Sequence, residues 1–310
     1  MTWLLWRQHR LQAGIAAAAY AGFMVAILLT GWRMAHIYHS AMVICRADGT
    51  CGDLHLFQGY GAIIDLVNLT AVVPLLIGLF WGVTSVGREV ETGTHVLSWT
   101  QSVTRHHWLA AKIGLLMAAA AVWGTAVTIA VTWWSKTPNS YYSDRFDPAR
   151  FMIQGIVPVG YALFAAALGL AAGALIRRTL PALAVTVFGY VAALVVVSNW
   201  VRPNLAAQAV SDVPFDQPNA VSSGSWILRQ DIVLHGKALG GAFRLPAQCA
   251  TGQGKDNVRQ CLADLGYRYV VHYQPANRYW PFQWVEFAGF VALAAVLVGL
   301  AWFTVLRRDA

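Results

Sequence analysis

Residues 157–200 read VPVGYALFAAALGLAAGALIRRTLPALAVTVFGYVAALVVVSNW. Two apolar runs, predicted to span 154–176 and 181–200, are separated by little more than one basic pair, Arg177 and Arg178. Each run has the roughly 20 residues a helix needs to cross a hydrocarbon core about 30 Å thick. Working outward, the same criterion finds four further spans, at 13–31, 61–83, 113–134 and 285–305. The bulk composition agrees: 57% of residues are hydrophobic and 12% are charged, against about a quarter charged in soluble domains. The expected fold is an all-α polytopic membrane protein with six transmembrane helices. The first span is too long for a signal peptide and no small-residue cleavage site follows it, so it is expected to be retained.

The net charge of +8 is spread singly or in pairs at the edges of the apolar runs. That distribution sets topology and does not form a nucleic-acid surface. Placing the amino terminus inside puts Arg7, Arg10, Arg88, Arg105, Lys112, Arg177, Arg178, Arg307 and Arg308 on the cytoplasmic side. Arg33, Arg46, Lys136, Arg145 and Arg150 fall in the two short outer loops. The positive-inside rule therefore predicts a plasma-membrane protein with both termini cytoplasmic. Trp32, Trp81, Trp133, Trp200, Trp284 and Trp302 lie near the expected span ends, where an amphipathic ring is favoured.

All four cysteines, Cys45, Cys51, Cys249 and Cys261, fall in loops assigned to the outside, the face on which disulfides persist. Three pairings are possible; the local one, Cys45 with Cys51 and Cys249 with Cys261, is the expectation. The competing reading is a metal site, since His36, His39, Cys45, Cys51 and His55 share the first outer loop. Their spacing is irregular and oxidised cysteines cannot ligate, so no metal is expected.

Residues 1–12 are amphipathic and too short to span, and are expected to lie along the inner interface as an elbow helix. Gly78 with Gly82 and Gly169 with Gly173 form G-x-x-x-G patterns that permit close helix approach. Pro74 and Pro158 are expected to kink or unwind their spans. Ionisable groups inside spans are functional candidates. Asp65, with Asn68 one turn away, is therefore a candidate for a substrate path, or else a hydrogen-bonded polar pair near the outer interface. Glu286, at the outer start of the last span, reads as an ordinary interfacial acid.

Residues 201–283 form the only sizeable water-exposed region, expected to be a small disulfide-stapled extracytoplasmic α+β cap. SWILRQDIVLHG (225–236) and YRYVVHYQ (267–274) read as strands. DNVRQCLADLG (256–266) reads as a short helix with Asp256 as its cap and Gly266 as its stop, placing Val258, Cys261, Leu262 and Leu265 on one face. Residues 284–310 hold the sixth span and a short cytoplasmic tail. Within 201–283 no H-E-x-x-H, G-x-S-x-G or other nucleophile constellation occurs, and His235 and His272 are isolated, so no enzyme activity is expected.

The longest inner loop, 84–112, contains REVETGTHVLSWTQSVTRHHW (88–108), a charged hairpin with Gly93 as a helix stop and Ser102 as a cap for the third span. A compact charged hairpin of this kind suits docking of a soluble partner; the alternative is a solvated connector. GREVETGTHVLSWTQSVTRHHWLAAKIGL (87–115) resembles the cytoplasmic segment of ABC-2 type transporter permeases, in which an acidic residue and Gly-Thr precede an SxTR-like stretch and a downstream Lys. YQPANRYWPFQWVE (273–286) is similar to the tail of actinobacterial members.

The resemblance implies that Arg88, Glu89, Glu91, Gly93, Thr94, Gln101, Arg105 and Lys112 contact a separate ATPase subunit. It also implies two copies of this chain with two ATPase subunits, because six spans are half the usual complement of such exporters. The large last outer loop departs from the better-known members of that family. A phosphate-cradling loop needs G-x-x-x-x-G-K-[ST], and the nearest match, CATGQGKDN (249–257), lacks the first Gly and the Ser/Thr. No cofactor is therefore expected in this chain, and ATP and Mg belong to the partner. A lipophilic or amphiphilic cargo would suit the apolar spans. A secondary transporter, or a membrane-anchored sensor or immunity protein, are the alternative classes; the first would call for paired broken helices and charges near the bilayer midplane, which are scarce here.

Overall fold

The computed structural model describes residues 2–48, 58–85, 91, 104–142, 145–217, 221, 223–240, 243–250 and 255–308. Six helical segments among them are long and apolar enough to cross a membrane: 18–44, 61–83, 106–134, 157–176, 179–204 and 276–307. Six successive crossings would put Thr2, Ser85, Arg105 and the Arg177–Arg178 turn on one side. The region between the fifth and sixth spans would then lie on the other.

Helix α1 runs without a break from Thr2 to Asp48. The elbow expected at 1–12 is thus not set off from the first span, since no proline interrupts the stretch and backbone hydrogen bonding continues through it. Nor does the helix end at Gly31, as the sequence suggested. Arg33, His36, His39 and the backbone of Cys45 are helical rather than part of a loop. At about 1.5 Å per residue the helix is some 70 Å long, far longer than the hydrocarbon core. At Gly31 the third span comes close: a Cβ there would sit 2.8 Å from the Trp133 ring, and Trp134 Nε1 donates to Thr30 Oγ1 at 3.1 Å.

The second span is irregular. Helix α2 (Gly61–Asn68) passes through a 3-10 turn at Leu69–Val72 into α3 (Val73–Ile77), which continues as a π turn, Gly78–Val83. Pro74 stands in the first turn of α3, where its missing N–H costs no hydrogen bond. The third span is α4 (Arg105–Trp134), followed by the short helices α5 (Lys136–Tyr142) and α6 (Pro148–Phe151). Pro158 does not kink the fourth span but starts it, lying in the first turn of α7 (Val157–Ile176).

Helix α7 is the axis of the bundle: 72% of its apolar window is buried, against 17% in the first and fifth spans. Its alanines and glycines make this possible. A Cβ on Gly169 would stand 2.2 Å from the Gly78 carbonyl oxygen, and one on Gly78 would stand 2.5 Å from that of Ala165. The two G-x-x-x-G patterns therefore meet each other, backbone against backbone. Around α7, Leu109, Leu116, Leu170, Ala301 and Val305 form one buried cluster. Phe146, Phe151, Tyr161, Phe164, Tyr279 and Phe290 form a second, toward the opposite end. The fifth span, α8 (Thr179–Val196), extends through a π turn at Val197–Val201 and a 3-10 turn at Arg202–Asn204.

Between the fifth and sixth spans lies a four-stranded antiparallel sheet, in the order β1-β4-β2-β3. Its strands are β1 (Ala209–Pro214), β2 (Trp226–Leu234), β3 (Lys237–Ala238) and β4 (Tyr267–Gln274). β1 and β2 both pair with β4, with Val210 opposite His272 on one side and Gln230 opposite Val271 on the other. β2 turns into β3 through His235 and Gly236, both at positive φ (49° and 79°), the backbone that a two-residue primed hairpin turn requires. His235 thus serves the turn. Helices α9 (Ala247–Ala250) and α10 (Lys255–Asp264) cover one face of the sheet, tied by the Cys249–Cys261 disulfide. Val258, Cys261 and Leu262 of α10, with Leu265 just after it, pack with Tyr267, Tyr269 and Phe215. Gly266, at φ 82°, ends the helix as the sequence indicated. The Cys45–Cys51 pairing lies outside the described residues. The sixth span, α11 (Tyr279–Arg308), closes the fold.

Candidate coupling site

Lys112 joins the two ends of the 84–112 loop. It is 9% exposed, its Nζ donates to the Ser85 carbonyl at 3.1 Å, and it lies 4.5 Å from the centre of the Trp108 ring. A buried ammonium needs such acceptors to offset the loss of water. Ser85 Oγ donates to the Gly82 carbonyl at 2.8 Å, extending helical order to the edge of the loop. The third span begins at Arg105, earlier than the expected 113, because Thr104 caps it: Thr104 is extended (φ −65°, ψ 144°) and its side chain accepts from the His107 N–H. The cap is therefore Thr104 and not Ser102, which lies outside the described residues.

Glu91 is exposed, and its carboxylate reaches the fifth span. One oxygen, Oε2, accepts the Thr179 backbone N–H at 3.1 Å and also the Thr179 hydroxyl. The physical need is plain. Arg177 turns the chain at positive φ (56°) and Arg178, extended, is the N-cap residue of α8 with no side-chain oxygen to offer. The first N–H groups of the helix lack intrahelical acceptors, and a carboxylate at a helix amino terminus satisfies one of them and meets the positive end of the dipole. Glu91 is a cap supplied from another part of the chain.

The Thr179 hydroxyl, then the Thr179 N–H, and more weakly the Arg178 charge hold the Glu91 carboxyl below its ordinary value of 4.5. A depressed folded-state value means the contact contributes fully above about pH 4.5 and is lost as pH falls through the lowered value. In protein labelled with 15N-threonine, the Thr179 amide resonance is expected to titrate with a midpoint below 4.5; a midpoint at or above 4.5 would remove the contact from consideration.

Of the other loop positions singled out from sequence, Arg88, Glu89, Gly93, Thr94 and Gln101 lie outside the described residues. Arg105 is the first residue of α4. The structure thus brings together Glu91 and the Arg178–Thr179 turn at one place, and Lys112 with Ser85 at another. Asp65 and Asn68 lie one turn apart on α2. Both are exposed, and Asn68 lines a cavity of about 290 Å³ with Trp134, Ser135, Arg150 and Gln154, a lining to which Asp65 does not belong. Among the described residues no three His, Cys, Asp or Glu side chains group as a metal site.

The polar network at the far end of the bundle has no counterpart in the sequence reading. Arg202 is 1% exposed and grips the Glu286 carboxylate with Nε and Nη2, both at 2.8 Å. The Tyr161 hydroxyl donates to the same carboxylate and accepts from Arg202 Nη2 at 3.2 Å. The guanidinium stacks on Phe151, 4.4 Å from its ring centre. One turn from Glu286, Gln283 accepts the Ile156 and Val157 N–H groups at 2.9 and 3.0 Å, capping α7 from α11. The available signal was a pair of opposite charges at the same end of adjacent spans.

Comparison with known families bears on the helical part of the chain: the family described as ABC-2 membrane transporter related matches residues 17–202, more than half of it. The chain belongs to this family. Its helical part is an ABC-2 type permease, and the permeases of that family are membrane transport components. No curated protein and no solved structure matches it. The matched region comprises the first five spans, and so includes both the 84–112 loop and the α7–α8 turn that Glu91 joins to it.

Proposed function

We propose that this chain is the membrane subunit of an ATP-driven transporter, exporting a lipophilic or amphiphilic substrate, with the 84–112 loop docked on a separate P-loop ATPase subunit that carries ATP and Mg. Two copies of the chain and two ATPase subunits complete the assembly. In this reading the loop and both termini are cytoplasmic, and the sheet domain is outside. The observation that supports it is the family match over five spans, together with a loop whose base is clamped by Lys112 and whose Glu91 is bonded to a span. A solvated connector would need neither fastening.

Purification from native membranes in mild detergent tests the assignment. A P-loop ATPase is expected to co-purify in equimolar amount, and Lys112→Ala, which frees the base of the loop, to reduce its recovery several-fold. Recovery of this chain with no ATPase would set the reading aside.

A further inference from the structure

The fifth span is held differently from its neighbours. Between its ends it is largely uncovered in the single chain: Leu180 is 80% and Phe188 75% exposed, while only Ala182, Thr186 and Tyr190 of α8 are buried. The contact with α7 is a narrow seam, where a Cβ on Gly189 would meet Leu168 at 3.1 Å. Its polar fastenings are concentrated at its two ends. At the inner end Glu91 caps Thr179. At the outer end Arg202 is locked to Glu286 and Tyr161.

The outer fastening continues into the sheet domain. Gln274, at the end of β4, donates to the Pro203 and Ala206 carbonyls at 3.2 and 2.9 Å, immediately after the Arg202 turn. Arg278 donates to Gln274 Oε1 at 2.7 Å and to the Ala207 carbonyl. The two stems of the domain are thereby bonded to each other and to the end of the fifth span. Trp226 of β2 packs on Phe146, its ring 5.7 Å away, which seats the sheet on the bundle.

We propose that the fifth span is an axial strut: the position of Glu91 sets its inner end, and its outer end sets the stems of the sheet domain, with Thr179 and Arg202 as positioning residues. A helix keeps its length when pushed or turned because its rise per residue is fixed by its hydrogen bonds, so the roughly 35 Å from Thr179 to Arg202 transmit displacement. Between its ends the span makes a long polar contact, the Tyr190 hydroxyl donating to the Ala71 carbonyl at 3.4 Å, and a mostly apolar seam of this kind resists sliding less than an interlocked polar one. The inference deepens the proposed function, since an ATPase acting on the loop would reach the outer domain by this path. It does not need the ATPase for its test.

The measurement is amide hydrogen exchange of the purified chain in lipid nanodiscs. Glu91→Ala, an exposed substitution, is expected to speed exchange several-fold at 179–183 and also at 203–207 and 274–278, leaving α10 unchanged. Arg202→Lys keeps the charge but loses the two-pronged grip, and is expected to speed exchange at 179–183 from the other end, because coupling between two sites is reciprocal. A cap that serves only its own helix would alter 179–183 alone. Acceleration confined to the mutated end in both variants overturns the strut, and does so whether or not an ATPase co-purifies.

Discussion

Arg202→Met is expected to be among the most damaging single substitutions in this chain, lowering stability by about 3–5 kcal/mol, because it leaves the Glu286 carboxylate buried without its cation. Glu286 is 5% exposed, and after the substitution its carboxylate would keep only the Tyr161 hydroxyl as a hydrogen-bond donor of those seen here. Methionine retains most of the apolar packing against Phe151, so the loss reports the charge and not a cavity. Removing both charges, Arg202→Met with Glu286→Met, is expected to recover most of the deficit, since an apolar pair of similar size often matches a buried ion pair. Unfolding in detergent, followed by tryptophan fluorescence, measures both. A single variant as stable as the double variant would show that the ion pair is not buried in the folded protein.

Gly169→Ala is the second large effect. The added methyl would stand 2.2 Å from the Gly78 oxygen and 2.9 Å from the Val83 nitrogen. Both are backbone atoms, so relief requires moving the second span away from α7 as a unit. Overpacking costs about 1–3 kcal/mol and sometimes more, here applied to the most buried helix of the bundle. The expected result is a strong fall in folded yield and in midpoint temperature. Gly289→Ala and Gly299→Ala in the sixth span are the comparison: nothing stands within 4 Å of either added methyl. Each is expected to be neutral or to stabilise by about 0.5–1 kcal/mol, as alanine does in a helix interior. Equal behaviour of all three variants would contradict the close approach of the second and fourth spans.

The positions of the spans, the helix 255–264 and the strands 226–234 and 267–274 were legible in the sequence because they depend on local quantities. An apolar run of sufficient length, a period of two, and a Gly that stops a helix all act within a few residues of chain. The limits of the first span were misread for the same reason. Arg33 and the histidines after it look like a loop locally, yet the helix continues past them. Its contact with α4 at Gly31 and Trp134 is visible only when the two are placed side by side.

The candidate site divides along the same line. Glu91 stood out in the sequence as a charged residue in a loop, and Lys112 as the basic residue after it. Their partners, Thr179 and Ser85, are an unremarked threonine and a backbone carbonyl, 88 and 27 residues away. Asp65 drew notice as a charge within a span, whereas Glu286, which the structure buries against Arg202, looked like an ordinary interfacial acid.

By itself, then, the sequence determined that this chain has six helices long and apolar enough to cross a membrane, with a small α+β region before the sixth, because the hydrophobic effect and helix hydrogen bonding act on contiguous residues. Tertiary structure decided which span becomes the axis, which glycines touch, and which charges are buried. Those outcomes rest on distances of a few ångströms between residues far apart in the chain, where one methyl group or one carboxylate changes the balance, and no local pattern encodes them.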